Sequence, residues 1–364
     1  MMGPLSTILD FKNGKKRPLD EGTIPVYGGN GILGYTNDSN YQDCIAIGRV
    51  GAYCGSVYYE KNPCWISDNA IAALAKKDTD IVYAYYLLKS LNLNDRRIGT
   101  GQPLLTQGIL NKITANILSY DQQVKVGLFL GRFDEAIQLN ESINENLLQQ
   151  AQTLYRELFV NTPNSDRITC RADEYFDIGI GKTPPRKEHQ WFTTNPSDVT
   201  WVSISDMGNC GTFISQSSEQ LTREAVERFK IRIVPDNTVL LSFKLTVGRI
   251  AITHGEMTTN EAIAHFKTDK PFINGYLYCY LKDFNYQTMG STSSIATAVN
   301  SKIIKAMPFV VPTEDEIVRF NTATGPIFEM ILKNQLENNL LVATRDALLP
   351  KLMSGELDIP VFDS

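Results

Sequence analysis

No apolar run in this 364-residue chain approaches the roughly 18 residues that a membrane span needs. The N-terminal Met1-Met2-Gly3-Pro4 does not place a basic stretch ahead of an apolar one, so neither a membrane anchor nor a secretory signal is expected. The expectation is a soluble cytoplasmic protein with no membrane partner. The six cysteines form no Cys-x-x-Cys pair, although Cys44, Cys54 and Cys64 are evenly spaced. Free buried thiols are therefore expected rather than a disulfide framework or a zinc site. The three histidines, His189, His254 and His265, make no i, i+4 pair, and no metal site is expected. Nucleophile-elbow and catalytic-triad signatures are missing, as is the Asp-Pro-Pro-Tyr or Asn-Pro-Pro-Tyr element with which amino-methyltransferases hold a flipped base. No catalytic residue is assigned to this chain.

Two stretches imitate nucleotide-binding motifs. Gly29-Asn30-Gly31-Ile32-Leu33-Gly34 matches G-x-G-x-x-G, but Tyr35-Thr36-Asn37-Asp38-Ser39-Asn40 follows as turn chemistry where a helix should start, and Pro25 lies in the preceding strand. The reading is a glycine loop. Gly181-Lys182-Thr183 resembles the end of a P-loop, yet Phe176 stands where glycine is required. Pro184-Pro185 also removes backbone N–H donors that would cradle phosphate.

What the chain does have is itself, twice. Ile8-Leu9-Asp10-Phe11 followed by Gly14-Lys15 returns as Tyr175-Phe176-Asp177-Ile178 followed by Gly181-Lys182. Asn69 beside Ala70-Ile71 is paired with Asn260 beside Ala262-Ile263, and Gly99-Thr100-Gly101-Gln102 with Gly290-Ser291-Thr292-Ser293. Each copy is mostly strand and turn, with β-branched or aromatic runs at 23–27, 44–47, 56–59, 200–204 and 238–243. One helix interrupts each, over 81–91 and 272–281. Two copies are too few for a solenoid.

Each copy then ends in a long helical segment. Ile143, Leu147, Leu154 and Leu158 in the first, and Leu336, Leu340, Ala343 and Ala347 in the second, carry the spacing of a narrow coiled-coil seam, so the two segments are expected to pack on each other or dock a partner. A helix of roughly 35 residues is about 50 Å long, the length of about 15 base pairs. Asn161 to Ser165 and Lys351 to Gly355 are expected to end these helices, with Pro350 breaking the second. The division is 1–121, a first globule; 122–160, a central helix; 161–314, a second globule; and 315–364, a C-terminal helix and tail. The net charge of −5 sits in the helical segments, which supply −2 and −4, while the globules are about neutral and able to carry basic patches.

Such patches occur at the glycine turns. Lys12, Lys15, Lys16 and Arg17 surround Gly14; Tyr27 and Asn30 flank a Gly-Gly pair; Arg96 and Arg97 lead into Thr100 and Gln102. The second copy offers Lys182, Thr183, Arg186, Lys187, Lys244, Ser291, Thr292 and Ser293, and Arg49 and Arg249 each sit beside a glycine after a strand. Lys and Arg neutralise phosphates, glycine lets backbone N–H groups come close, and Asn or Gln can bond adenine bidentately, so double-stranded DNA is the expected ligand.

The two-fold layout, the Gly-Lys-Thr-Pro turn at 181–184, the Tyr27-Gly28-Gly29-Asn30-Gly31 loop, the Asn-Ala-Ile strand and the closing Leu349-Pro350-Lys351-Leu352-Met353-Ser354-Gly355-Glu356-Leu357 together resemble the specificity subunit of type I restriction–modification enzymes. The resemblance implies an α+β chain with two similar globular α/β target-recognition domains joined by two long antiparallel coiled-coil helices, as a pseudo-two-fold internal repeat. It implies that each domain reads half of a bipartite, asymmetric site. It also implies that methyltransferase subunits dock on the helices to methylate adenine and that a restriction motor-nuclease subunit joins for cleavage. S-adenosylmethionine, ATP and Mg would then belong to those partners. The first copy departs from the pattern with Lys16-Arg17-Pro18 in place of Thr-Pro. Two other readings are a protein-only scaffold built on paired helices and a nucleotide-dependent enzyme using Gly29 to Gly34.

Overall fold

A computed structural model describes residues 1–98, 103–289 and 300–359. The chain divides into two compact units, Met1–Gln138 with Asn338–Ser364, and Leu139–Glu337, so each unit takes part of both long helices.

The first unit holds strands β1 (Leu9–Asn13), β2 (Ile24–Gly28), β3 (Gly31–Thr36), β4 (Cys44–Gly48), β5 (Val57–Glu60), β6 (Trp65–Ile66) and β7 (Ala70–Ala75). One antiparallel sheet runs β1-β7-β4-β5, and a second runs β3-β2-β6 with β2 and β6 parallel. The alanines of β7 and the wholly buried β4 present little bulk. Helix α1 (Ile81–Ser90) therefore packs closely, burying Tyr83, Ala84, Tyr86, Leu87 and Leu88 in the unit's main core. Asp80 caps it by accepting the Tyr83 N–H at 2.7 Å. Helix α2 (Tyr120–Tyr155) begins here, adding Val126 and Leu130 to the same core.

In the second unit β8 (Asp177–Ile180), β9 (Val199–Val202), β10 (Val239–Ser242), β11 (Ile250–Thr253), β12 (Thr258–Thr259) and β13 (Ile263–Lys267) repeat the plan. The order β8-β13-β10-β11 matches β1-β7-β4-β5, with Phe213–Ile214 added beside β11, and β9 lies parallel to β12 as β2 does to β6. The register agrees residue by residue. Asp10 faces Leu74 and Asp177 faces Lys267; Gly14 N donates to Ala70 O and Gly181 N to Ile263 O, both at 3.1 Å. Helix α3 (Asn274–Asp283) takes the place of α1. The same register corrects one pairing. Ala70 N donates to Ser67 O where Ile263 N donates to Asn260 O, so Asn260 corresponds to Ser67 rather than to Asn69.

Three local expectations change. Gly31 to Thr36 is a strand, not a loop, because a turn at Gly29-Asn30, with Gly31 at φ +77°, folds it back on β2. No helix opens there for a pyrophosphate. Ile204 starts a helix rather than ending a strand, since Ser203 and Asp206 form a reciprocal capping box. Pro350 does not break helix α4 (Glu314–Ser354), which stops at Gly355, φ +78°.

Helices α2 and α4, of 36 and 41 residues, pair antiparallel. Within the first unit Asn338 bonds Ile137 O and Arg345 pairs with Asp134; within the second, Asn334 bonds Asn144 at 2.9 Å and Asn140 bonds Glu337 at 3.4 Å. The facing side chains are thus polar. The expected C-terminal seam is corrected: Leu336 and Leu340 are 38% and 67% exposed, and Ala343 and Ala347 are also exposed. They lie two residues, about 200°, from Asn334, Asn338, Leu341 and Arg345 and so occupy the opposite face. In the first helix and the π-helical turn Arg156–Val160 that continues it, Leu154 and Leu158 lean on the second unit's core and Leu147 is half-buried, while Ile143 is 38% exposed. Apolar spacing misled because the helix ends bury their leucines in the globules, whereas the middle meets its partner through amides.

Candidate nucleic-acid interface

The two basic glycine turns are built alike. At Gly14 an added Cβ would come within 1.9 Å of Ser67 O, and at Gly181 within 2.1 Å of Asn260 O, so both positions demand glycine and bring the following lysine onto a strand edge. Lys15 N donates to Ile66 O at 3.0 Å and Lys182 N to Thr259 O at 2.9 Å. An indole then fixes each lysine carbonyl: Trp65 Nε1 donates to Lys15 O and Trp201 Nε1 to Lys182 O, both at 3.2 Å. The tryptophans come from different strands, β6 and β9, which is why no repeat in the sequence pointed to them.

Around the first turn Lys12, Lys15 and Lys16 are exposed, while Arg17 donates to Leu33 O at 3.1 Å and so braces the β2–β3 hairpin. Asn30 is exposed at the hairpin tip. Tyr27 is corrected: it is 6% exposed, packs in a core cluster and donates to Glu60 at 3.0 Å, because β2 turns that face inward. Arg96 and Arg97 are exposed; Arg49 is half-buried, and its Nε has no hydrogen-bond partner among the described residues. Thr100, Gln102, Ser291, Thr292 and Ser293 lie outside the described residues.

Around the second turn Lys182 and Lys187 are exposed, and Lys182 Nζ reaches Phe229 O at 2.7 Å. Thr183 donates to Glu261. Arg186 pairs with Glu219 at 2.8 Å and stacks over Phe192 and Trp201, 4.2 and 4.5 Å from their ring centres. Lys244 is exposed. Arg249 does not follow a strand as Arg49 does. It precedes β11, and its guanidinium is spent on Ile204 O at 2.5 Å, beneath Gly208. Free cationic charge is therefore concentrated at Lys12, Lys15, Lys16, Arg96 and Arg97 in one copy and at Lys187 and Lys244 in the other, with Lys182 exposed but bonded to Phe229 O.

A cleft of about 170 Å³ beside β8 and β13 is lined by Asp177, Arg232, His265 and Lys267, none of which the sequence offered as a site residue. His265 is 3% exposed, and its Nε2 lies 2.6 Å from Thr259 Oγ1. Burial first, then the Arg232 charge, pushes the ring's pKa down from 6.5 to about 4, against Asp177. The folded chain thus binds one proton fewer than the unfolded chain between these values, and stability falls as pH drops through them. Urea unfolding is expected to lose about 3 kcal/mol between pH 7 and pH 4, and H265N to flatten that slope. An unchanged slope in H265N would refute the assignment.

With this geometry in view, similarity to known proteins is direct. Residues 5–149 and 168–340 match the family described as Type I restriction modification DNA specificity domain, one match for each copy. The Type I restriction enzyme MjaIX specificity subunit of Methanocaldococcus jannaschii is 24% identical over 342 residues, covering 84% of this chain and 76% of that protein. The HindI specificity subunit of Haemophilus influenzae is 27% identical over 188 residues, 50% of this chain but only 40% of that protein's length. The crystal structure of the S subunit from M. genitalium shares the fold, with a TM-score of 0.57 at 17% identity over 99% of this chain and 96% of that one. The doubled domain, the register shared by its two copies and the paired long helices agree with these matches: the chain belongs to the type I restriction–modification DNA specificity family.

Proposed function

We propose that each unit reads one half of a bipartite, asymmetric duplex site, and that the chain confers sequence choice on adenine methyltransferase subunits that carry out the chemistry. The observation that carries this reading is the repeated turn: Gly14-Lys15 and Gly181-Lys182 share one hydrogen-bond register yet sit among different side chains. A shared frame with divergent contacts suits the reading of two different short sequences, because phosphate contacts position and base-edge contacts specify. The helices, acidic in sum, suit protein partners better than phosphate. S-adenosylmethionine, ATP and Mg would be held by the methyltransferase and motor subunits.

Co-expression with a partner methyltransferase, followed by mapping of methylated adenines, tests the proposal. Two short determinants separated by an indifferent spacer are expected; one continuous motif would refute it.

A further inference from the structure

We propose that the β4–β5 and β10–β11 hairpin tips are wedges, with Tyr53 and Leu245 each pushed between base pairs of the bound duplex. This rests on the reading of the chain as a DNA reader.

The two tips are closed by the same backbone bonds, although the first loop is one residue longer. Gly48 N donates to Ser56 O and Gly55 N to Gly48 O, both at 2.8 Å; Ser242 N donates to Arg249 O and Gly248 N to Ser242 O, at 2.9 and 3.0 Å. Both close on a left-handed glycine, Gly55 at φ +93° and Gly248 at +91°. Each then displays a large side chain. Leu245 is 95% exposed and itself left-handed, φ +62°, where a side chain is strained; Tyr53 is 55% exposed.

The strain is imposed by bracing. Ser242 Oγ donates to Thr246 O at 2.5 Å while accepting Arg249 N at 3.0 Å, and Thr246 N reaches Lys244 O at 2.7 Å. In the first tip Cys54 N donates to Gly51 O and Ser56 N to Tyr53 O, both at 3.1 Å. A bare leucine held rigidly out into water in a conformation suited to glycine points to a use outside the fold.

Its surroundings identify the occupant. Exposed Lys244 adjoins Leu245. Val50 of the first tip and Ile98 both bridge Leu104, which brings the exposed Arg97, next to Ile98, to the first tip. Both tips also touch described residues near the glycine-polar stretches of the sequence: Gly51 N donates to Pro103 O, and Gly248 packs on the Tyr286 ring. An apolar wedge flanked by phosphate-neutralising cations matches how side chains unstack a duplex step.

The test uses the full chain with its methyltransferase partner and a target duplex carrying 2-aminopurine at adenines other than the methylated one. Binding is expected to raise fluorescence at one step in each half-site. L245A and L245G should abolish the rise in one half and Y53A in the other, with the salt dependence of affinity unchanged. Specific binding with no rise, or a rise that survives in L245A and Y53A, would overturn the wedge. Absence of any specific duplex binding would instead overturn the DNA reading on which it rests.

Discussion

Triple charge reversal, K12E/K15E/K16E, is expected to lower duplex affinity by roughly 100-fold or more near 0.15 M salt and to reduce the slope of log affinity against log salt by about 3. All three lysines are exposed beside Gly14, so reversal removes up to three phosphate neutralisations and adds repulsion. Arg17 is left in place because its bond to Leu33 O braces the hairpin, and losing it would confound binding with folding. The thermal midpoint should therefore hold. Titration at several salt concentrations reads both quantities. A protein-only scaffold predicts no change in either, so an unaltered slope would favour it.

Replacing Arg167 with methionine is expected to destabilise the second unit by about 3–5 kcal/mol, read as a lower urea midpoint. The guanidinium is 7% exposed and joins the end of α2 to the start of α4. It bonds Glu316 at 2.7 Å and also the Leu158 and Phe159 carbonyls at 2.6 and 2.7 Å, which the helix end leaves without intrahelical donors. Glu316 in turn accepts Asn164 at 2.8 Å and Thr313 N at 3.0 Å. Burial raises the Glu316 pKa, but these hydrogen bonds, led by Arg167, outweigh it and hold the carboxyl at about 2, from an ordinary 4.5. Its contribution is thus full above pH 4.5 and lost as pH falls towards 2. E316Q should remove that acid-side dependence. An R167M midpoint equal to wild type would refute the account.

The long helices were legible because apolar residues recur at helical spacing over dozens of residues, and the duplication because Gly14-Lys15 and Gly181-Lys182 repeat with their preceding strands. The seam was not. Leu336 and Leu340 have coiled-coil spacing, but spacing cannot say whether a stripe meets a helix, a globule or solvent, and here Asn334, Asn338 and Arg345 face the partner. Tyr27 looked like a loop aromatic and is buried, since side-chain direction along a strand depends on which sheet face the fold covers.

Local chemistry in the sequence determined which residue types stand where: glycine where a Cβ would strike a carbonyl, lysines beside it, two copies and two rods. Which lysines remain free, which arginine is consumed by a carbonyl, and which apolar side chain is left in water were decided only by tertiary structure. Those outcomes depend on strands and helix ends dozens of residues away, whose carbonyls and carboxylates compete for the same donors.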